Sequence, residues 1–316
     1  MTGVQQPSAP LRVLVDCDPA TGIRNRDVDD GLALLMLLAA PNVVVEGITV
    51  CFGNVKADVG FGVATDLLER VDAKVPLIKG AGSRDELGKS NPAVDYLIDA
   101  VRHSPGELTL LTLAPLTNVA TAMRLDPTFA PNLKELVVMG GSVGFRPFAW
   151  FGELNFRWDA CAAAAVIATR IPKSLITMDV CACGVFRQQQ LDVLRGRDGG
   201  LADYLVAALA PWLSLNRKFF FRAQGFFPWD VVAAAYLVDR SLFVADSGRG
   251  HAMTLSVQQT GLRAGRLLNV AAAPGPQLHS GVRPTGGQRG VPVEVPQTLD
   301  RQRFMALFMQ SLLHFC

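Results

Sequence analysis

Charge is scarce in this chain. Only 18% of the 316 residues are charged and the net charge is +2. There is no Lys/Arg-rich run and no interleaving of aromatic with basic residues, so the electrostatic footprint of a nucleic-acid-binding protein is missing. No apolar stretch reaches the ~18 residues of a membrane span, and no membrane is expected as a partner. The first ten residues have neither a charged start nor an apolar core, which argues against a secretory signal; a short disordered tail over 1–10 is expected instead. Cysteine offers no framework either. Cys17, Cys51, Cys161, Cys181, Cys183 and Cys316 are scattered, and Cys181-Ala-Cys183 has neither zinc-ribbon nor redox spacing. Free thiols in a reducing cytoplasm are the expectation. With no internal repeat, no linker and 50% hydrophobic residues, residues 11–316 are expected to form one domain.

Acidic residues number only 28, yet five aspartates fall between residues 16 and 30. Asp16, Asp18, Asp27, Asp29 and Asp30 follow the apolar run Leu11-Arg-Val-Leu-Val, which reads as a buried strand. The segment from Asp29 through Gly-Leu-Ala-Leu-Leu-Met-Leu-Leu reads as a helix. The acids therefore stand where a strand's carboxyl end meets a helix's amino end, the usual ligand crevice of an open α/β sheet. Taken alone, Asp29 and Asp30 can be helix caps and Asp27 a solvated loop acid. Asp16 and Asp18 alternate onto one side of a strand, and two like charges there are a standing cost unless something uses them. A divalent cation meets that cost, and an all-oxygen site favours calcium or magnesium over zinc.

Strand-like and helix-like segments alternate over the first 180 residues. Strands are predicted at 11–17, 43–50, 75–78, 107–113, 134–139 and 174–179, with helices at 29–40, 54–71, 92–103, 116–125 and 159–170. That alternation predicts an α/β fold around a mostly parallel, Rossmann-like open sheet with helices on both faces. Beyond Phe186 the pattern turns helical (187–195, 200–222, 229–238), predicting a helical subdomain. A short strand pair near 252–257 and 265–270 and a last helix at 298–314 follow, and the Gly/Pro/Arg-rich stretch 273–291 reads as a loop or exposed hairpin.

Further polar segments sit where strands end: Ile48-Thr-Val-Cys-Phe-Gly-Asn-Val55, Pro115-Leu-Thr-Asn-Val-Ala120, Val137-Val-Met-Gly-Gly141, Glu153-Leu-Asn155 with Asp159-Ala-Cys-Ala-Ala, and Trp229-Asp230. Singly these are turns and caps. Together with Asp16-Cys-Asp-Pro19 and Asp29-Asp-Gly-Leu-Ala33, and in this order, they resemble the inosine-uridine-type nucleoside hydrolases from about residue 11 to about 240.

The resemblance implies hydrolysis of the N-glycosidic bond of a ribonucleoside to ribose and free base, with one calcium ion per chain. Its ligands would be Asp18, Asp30, Asp230 and the backbone carbonyl of Leu113. By the same carry-over Asp18 takes the proton of the attacking water and Asp16 supports it from behind. Asp29, Asn54, Glu153 and Asn155 match positions that grip ribose hydroxyls, and Met139 and Trp229 join them as substrate-binding positions. A homodimer or homotetramer is also implied. The chemistry agrees: glycoside cleavage passes through a sugar cation that anionic walls stabilise, and calcium needs a carboxylate base beside it.

Three departures stand out. The acidic motif is stretched by seven residues between Asp18 and Asp29, bringing in Arg24 and Arg26, either solvated or reaching over the substrate. Trp229 replaces the family's usual His, which protonates the leaving base, and Pro147 replaces an Asn for the ribose 5′-hydroxyl. An indole with Phe148 and Trp150 as a second face would stack on a base and favour purines. His103, His251, His279 and His314 fall in no matched motif and are read as structural or surface residues. Two rivals remain beside this reading. A haloacid-dehalogenase-type phosphohydrolase also starts with Asp-x-Asp, but wants Thr or Val where Ala20 stands. A non-catalytic nucleoside- or sugar-binding protein, or a hydrolase of a modified nucleoside, fits the loss of the usual His.

Overall fold

The structure, a computed structural model, describes residues 9–144, 152–220, 222–243, 251–269 and 291–316. Its strands are β1 (Leu11–Cys17), β2 (Val43–Val50), β3 (Leu77–Lys79), β4 (Leu108–Thr112), β5 (Glu135–Met139), β6 (Lys173–Ile176), β7 (Phe186–Arg187), β8 (Gly225–Phe226), β9 (His251–Val257), β10 (Leu267–Asn269) and β11 (Val291–Val295). Nine of them form one sheet in the order β10-β9-β11-β6-β5-β4-β1-β2-β3. From β6 to β3 every pairing is parallel, whereas β9 runs antiparallel to both β10 and β11. β7 and β8 pair separately as a short antiparallel ribbon.

The helices are α1 (Asp29–Ala39), α2 (Ala57–Arg70), α3 (Pro92–His103), α4 (Thr117–Leu125), α5 (Phe129–Asn132), α6 (Leu154–Trp158), α7 (Ala160–Ile167), α8 (Met178–Cys181), α9 (Gln188–Arg195), α10 (Gly200–Phe219), α11 (Trp229–Val238) and α12 (Arg301–Leu313). They cover both faces, as strands buried on two sides require. Alternation along β1 shows the consequence. Val13 and Val15 pack into a core shared with α1, α10, α11 and α12, while Leu14 enters the opposite core with α3, α4 and α7.

The predicted parallel half is observed with small shifts, and each shift has a local cause. The helix expected from residue 54 starts at Ala57 because Asn54 is occupied with side chains of the neighbouring loop. The strand expected to reach 179 ends at Ile176, where the chain turns directly into α8. The expected strand pair near 252–270 acquires a third member, β11, which joins it to β6 and extends the sheet. The predicted tail lies almost wholly outside the described residues, as does most of the 273–291 loop. Among the described residues no helix is long and apolar enough to cross a membrane.

α12 closes the core through an aromatic chain. Phe304 and Phe308 are fully buried, and Phe308 lies 5.9 Å, ring to ring, from both Phe304 and Phe186, the latter stacked on Phe226 at 4.9 Å. Phe308→Ala is therefore expected to cost about 3–5 kcal/mol in denaturant unfolding. A loss below about 1 kcal/mol would show that α12 is not docked on this core.

Candidate active site: a carboxylate-lined cavity at the strand ends

β1 lies between β2 and β4, so Asp16 stands opposite Thr49 on one side and Thr112 on the other. Asp16 is fully buried. Its Oδ1 accepts from Thr49 Oγ1 at 2.6 Å and from Asn118 Nδ2 at 2.9 Å, and its Oδ2 has no hydrogen-bond partner. Burial pushes Asp16 up to about 6, against the pull of those two hydrogen bonds.

Asp18 follows immediately after the strand. Its Oδ2 accepts from the backbone N–H of Asn54 at 2.6 Å and its Oδ1 from Asn54 Nδ2 at 3.3 Å. The fit is close enough that a Cβ on Gly53 would overlap Asp18 Oδ2, so glycine is required there. Asp29 and Asp30 are the first two residues of α1, where the helix dipole favours acids. Asp30 accepts from the Asp18 backbone N–H at 3.0 Å and from Asn54 Nδ2 at 3.3 Å. Asp29 accepts from the backbone N–H of Asp230 at 3.1 Å, tying the start of α11 to the start of α1.

Asp29, Asp30 and Asp230 each offer a carboxylate oxygen, and the three oxygens lie within 4.8 Å of one another. All three are buried. Burial, then the charge of Asp29, pushes Asp30 up to about 7 and Asp230 well above the ordinary carboxylate range. Burial and the charge of Asp30 do the same to Asp18. None of the ion pairs among the described residues reaches any of these acids. A trio of hard oxygen donors with no cationic side chain to balance it fits a divalent cation of the calcium or magnesium kind.

A cavity of about 350 Å³ opens over this cluster. Asp27, Asp29, Asn54 and Asp230 line its acidic part, while Trp158, Trp212, Phe220 and Trp229 give it an aromatic wall. Asp16, Asp18 and Asp30 are fully buried and lie outside the lining. Leu113, Met139, Glu153 and Asn155 complete the expected set in the wall. The Leu113 carbonyl accepts from Asn155 Nδ2 at 3.0 Å, and the same amide reaches the Met139 carbonyl at 3.3 Å. Glu153 caps α6, accepting from the backbone N–H groups of Gly141 (2.9 Å), Asn155 (2.6 Å) and Phe156 (3.0 Å). Burial raises Glu153 while these bonds oppose it.

Other expectations resolve simply. Arg24 and Arg26 are exposed and line no part of the cavity, so they are solvated loop charges. Asp159 is a cap, accepting from Ala162 N–H at 2.9 Å and from Thr117 Oγ1 at 2.7 Å. His103 contacts the Asp99 carbonyl and His314 packs edge-on against Phe315, both away from the cavity. Pro147, Phe148, Trp150 and His279 lie outside the described residues, and of His251 only the backbone is described. Sequence reasoning missed Trp158, Trp212, Asn216 and Phe220 as cavity residues. Trp212 and Asn216, one turn apart on α10, carried a faint signal, as a polar group on an otherwise apolar stripe.

Solved structures of similar shape include nucleoside hydrolases. A solved plant nucleoside hydrolase superposes with a TM-score of 0.79 at 25% identity, covering 96% of this chain and 99% of the other. A purine-preferring ribonucleoside hydrolase from Gardnerella vaginalis superposes with a TM-score of 0.80 at 20% identity, covering 96% and 98%, which speaks for the fold alone. In sequence, the pyrimidine-specific ribonucleoside hydrolase RihB of Escherichia coli is 27% identical over 194 residues; the match takes in 54% of this chain and 60% of that relative's length. The family model described as inosine-uridine preferring nucleoside hydrolase matches residues 13–306, and the chain belongs to that family.

Proposed function

We propose that this protein hydrolyses the N-glycosidic bond of ribonucleosides, releasing ribose and the free base, with calcium at the aspartate cluster. The observation that carries the reading is one cavity lined both by buried carboxylates and by indole rings. Ribose suits the first and a base the second. Asp30 and Asp230 would hold the cation, with Asp18 and the Leu113 carbonyl beside them, and a cation there would supply Lewis acidity to water and to ribose hydroxyls. Asp18, fixed by Asn54 and kept basic by its neighbours, accepts the proton of the attacking water as the water oxygen bonds to C1′. The C1′–N bond breaks with its electron pair going to the base, which takes a proton from solvent to leave as the free base. Asp29, Asn54, Glu153 and Asn155 orient the sugar, and the anionic wall stabilises its developing positive charge.

Trp229 stands beside Phe227, rings 4.9 Å apart, at the mouth of α11. With Trp158 and Trp212 in the same wall it supports stacking on a large base, and so a preference for purine ribosides. Met139, also in the lining, is a further substrate-binding position in this reading. The reading extends to a cytoplasmic homodimer or homotetramer, in keeping with free thiols at Cys17, Cys51 and Cys181 that are buried, and sedimentation measures the assembly.

Protein purified without chelator is expected to carry about one divalent cation per chain. Asp30→Asn and Asp230→Asn should each abolish it, and unchanged metal content in both variants would mean the site is elsewhere. Because Asp30 sits near about 7 and its neighbours are also raised, protons compete with the ion as pH falls. Added calcium should then raise the melting temperature more at pH 8 than at pH 5.

Asp18→Asn keeps the shape but removes the proton acceptor. It should lower kcat by about 10²–10⁴-fold while ribose still binds. Near-wild-type turnover would pass the role to another acid, Asp27 first.

A reducing-sugar assay over inosine, guanosine, adenosine, uridine and cytidine tests the base. Purine ribosides should lead in kcat/KM. Uridine leading by about tenfold, roughly 1.4 kcal/mol of transition-state binding, would end the stacking reading. Turnover of none of the five would point to a modified substrate or a binding protein.

A further inference from the structure

The stretch between Asp18 and Asp29 is where this chain is longer than its family pattern, and it is a built arm. Thr21 Oγ1 donates to the Val28 carbonyl at 2.8 Å, closing the loop on itself. Turns within it are made by Ile23 N–H to Ala20 O (2.9 Å) and Arg26 N–H to Ile23 O (3.2 Å). Tyr204 on α10 donates its hydroxyl to the Thr21 carbonyl at 3.1 Å. The guanidinium of Arg70 on α2 lies 4.3 Å over the Tyr204 ring, so the anchor is itself braced.

The arm sorts its charges. Arg24 and Arg26 face solvent, whereas Asp27 lines the cavity. An insertion that served to neutralise the acidic cluster would turn its arginines inward; this one adds another acid. Asp27 is not one of the three oxygens grouped for a cation, although its carboxyl lies within hydrogen-bonding reach of Asp29. One of its oxygens accepts from the Val28 N–H at 2.8 Å, which fixes the side chain and leaves lone pairs for a ligand. Burial, then the charge of Asp29, pushes Asp27 well up, so the two acids share a proton, and the oxygen lone pairs that Asp27 keeps can still accept from a hydroxyl group.

We propose that Asp27, carried into the cavity by the 19–28 arm, is an additional ribose-binding residue that accepts a hydrogen bond from a sugar hydroxyl next to the one held by Asp29, with Tyr204 positioning the arm. The inference rests on the ribonucleoside reading above and adds to it a sugar contact that the family's shorter motif has no residue to make.

The test compares wild type with Asp27→Asn and Asp27→Ala on the best ribonucleoside of the panel, and on its 2′-deoxy, 3′-deoxy and 5′-deoxy forms as competitive inhibitors. The parent's KM should rise about tenfold or more, the size of a lost hydrogen bond to a charged group, with kcat falling less than about threefold. One deoxy form should show the same inhibition constant in variant and wild type, since it already lacks the hydroxyl that Asp27 holds. Tyr204→Phe, which frees the arm but leaves Asp27 in place, should give the same selectivity at smaller size, and it carries the test if Asp27→Ala does not fold. Equal weakening of all four ligands, or weakening of none, would overturn the proposal. Wild-type protein that turns over no nucleoside defeats the ribonucleoside reading instead, so the two failures are distinguishable.

Discussion

Two unit charges 4 Å apart repel by about 4 kcal/mol at an effective dielectric of about 20. Asp18, Asp29, Asp30 and Asp230 are buried together, with Asp16 and Asp27 alongside, and no ion pair among the described residues offsets them. Several such repulsions rival the whole stability of a folded domain, about 5–15 kcal/mol. The cluster therefore persists only with protons or a cation in place. The raised values of Asp16 and Asp30 describe the first solution, and the geometry of three converging oxygens suits the second. Much of the surrounding structure can be understood as holding these acids where a cation makes them useful.

The backbone does most of that holding. β1 sits between two parallel partners, so its end cannot drift, and the start of α1 brings Asp29 and Asp30 against it. The dipoles of α1 and α11 favour acids at their amino ends, yet each such contact is worth about 0.3–1 kcal/mol. That is too little to balance the repulsion and enough to bias which conformers survive. The finer control is by hydrogen bonds. Asn54 donates twice to Asp18, by its backbone N–H and its amide, and the same amide reaches Asp30, while Gly53 leaves the space that this requires.

The parallel half of the fold and the aspartates were legible in the sequence because both are local signals. A β-strand written as Val-Leu-Val and a helix opening on Asp-Asp need no knowledge of distant residues. The ordered motifs then carried the distant partner, Asp230. What escaped depended on pairing across long separations. β11 is five residues at the end of a stretch rich in Gly and Pro, and its neighbours β9 and β6 make it a strand. Trp158 and Trp212 belong to helices, and Phe220 follows the end of α10, in segments whose pattern does not show what lies opposite. Asp27 looked like an ordinary loop acid because nothing local distinguishes it from Arg24 or Arg26. Only the anchor at Tyr204, far along the chain, decides which of them turns inward.

Two of the departures from the family pattern, Trp229 and the longer arm, meet in one small region. Trp229 and Asp230 are adjacent, the first facing the aromatic wall and the second the cation trio, and both belong to the first turn of α11. That turn is tied at two points: Asp230 N–H to Asp29, and the Trp229 carbonyl to Cys181 Sγ at 3.4 Å. A short rigid turn cannot move its indole without moving its carboxylate. Exchanging an imidazole for an indole at this position thus changes more than a proton donor. It joins an indole of the aromatic wall to a carboxylate of the trio within one turn, while the longer arm brings Asp27 against Asp29. The aromatic wall and the carboxylate trio are consequently parts of one packed unit, and Asp29 is bonded to both Asp230 and Asp27 within it.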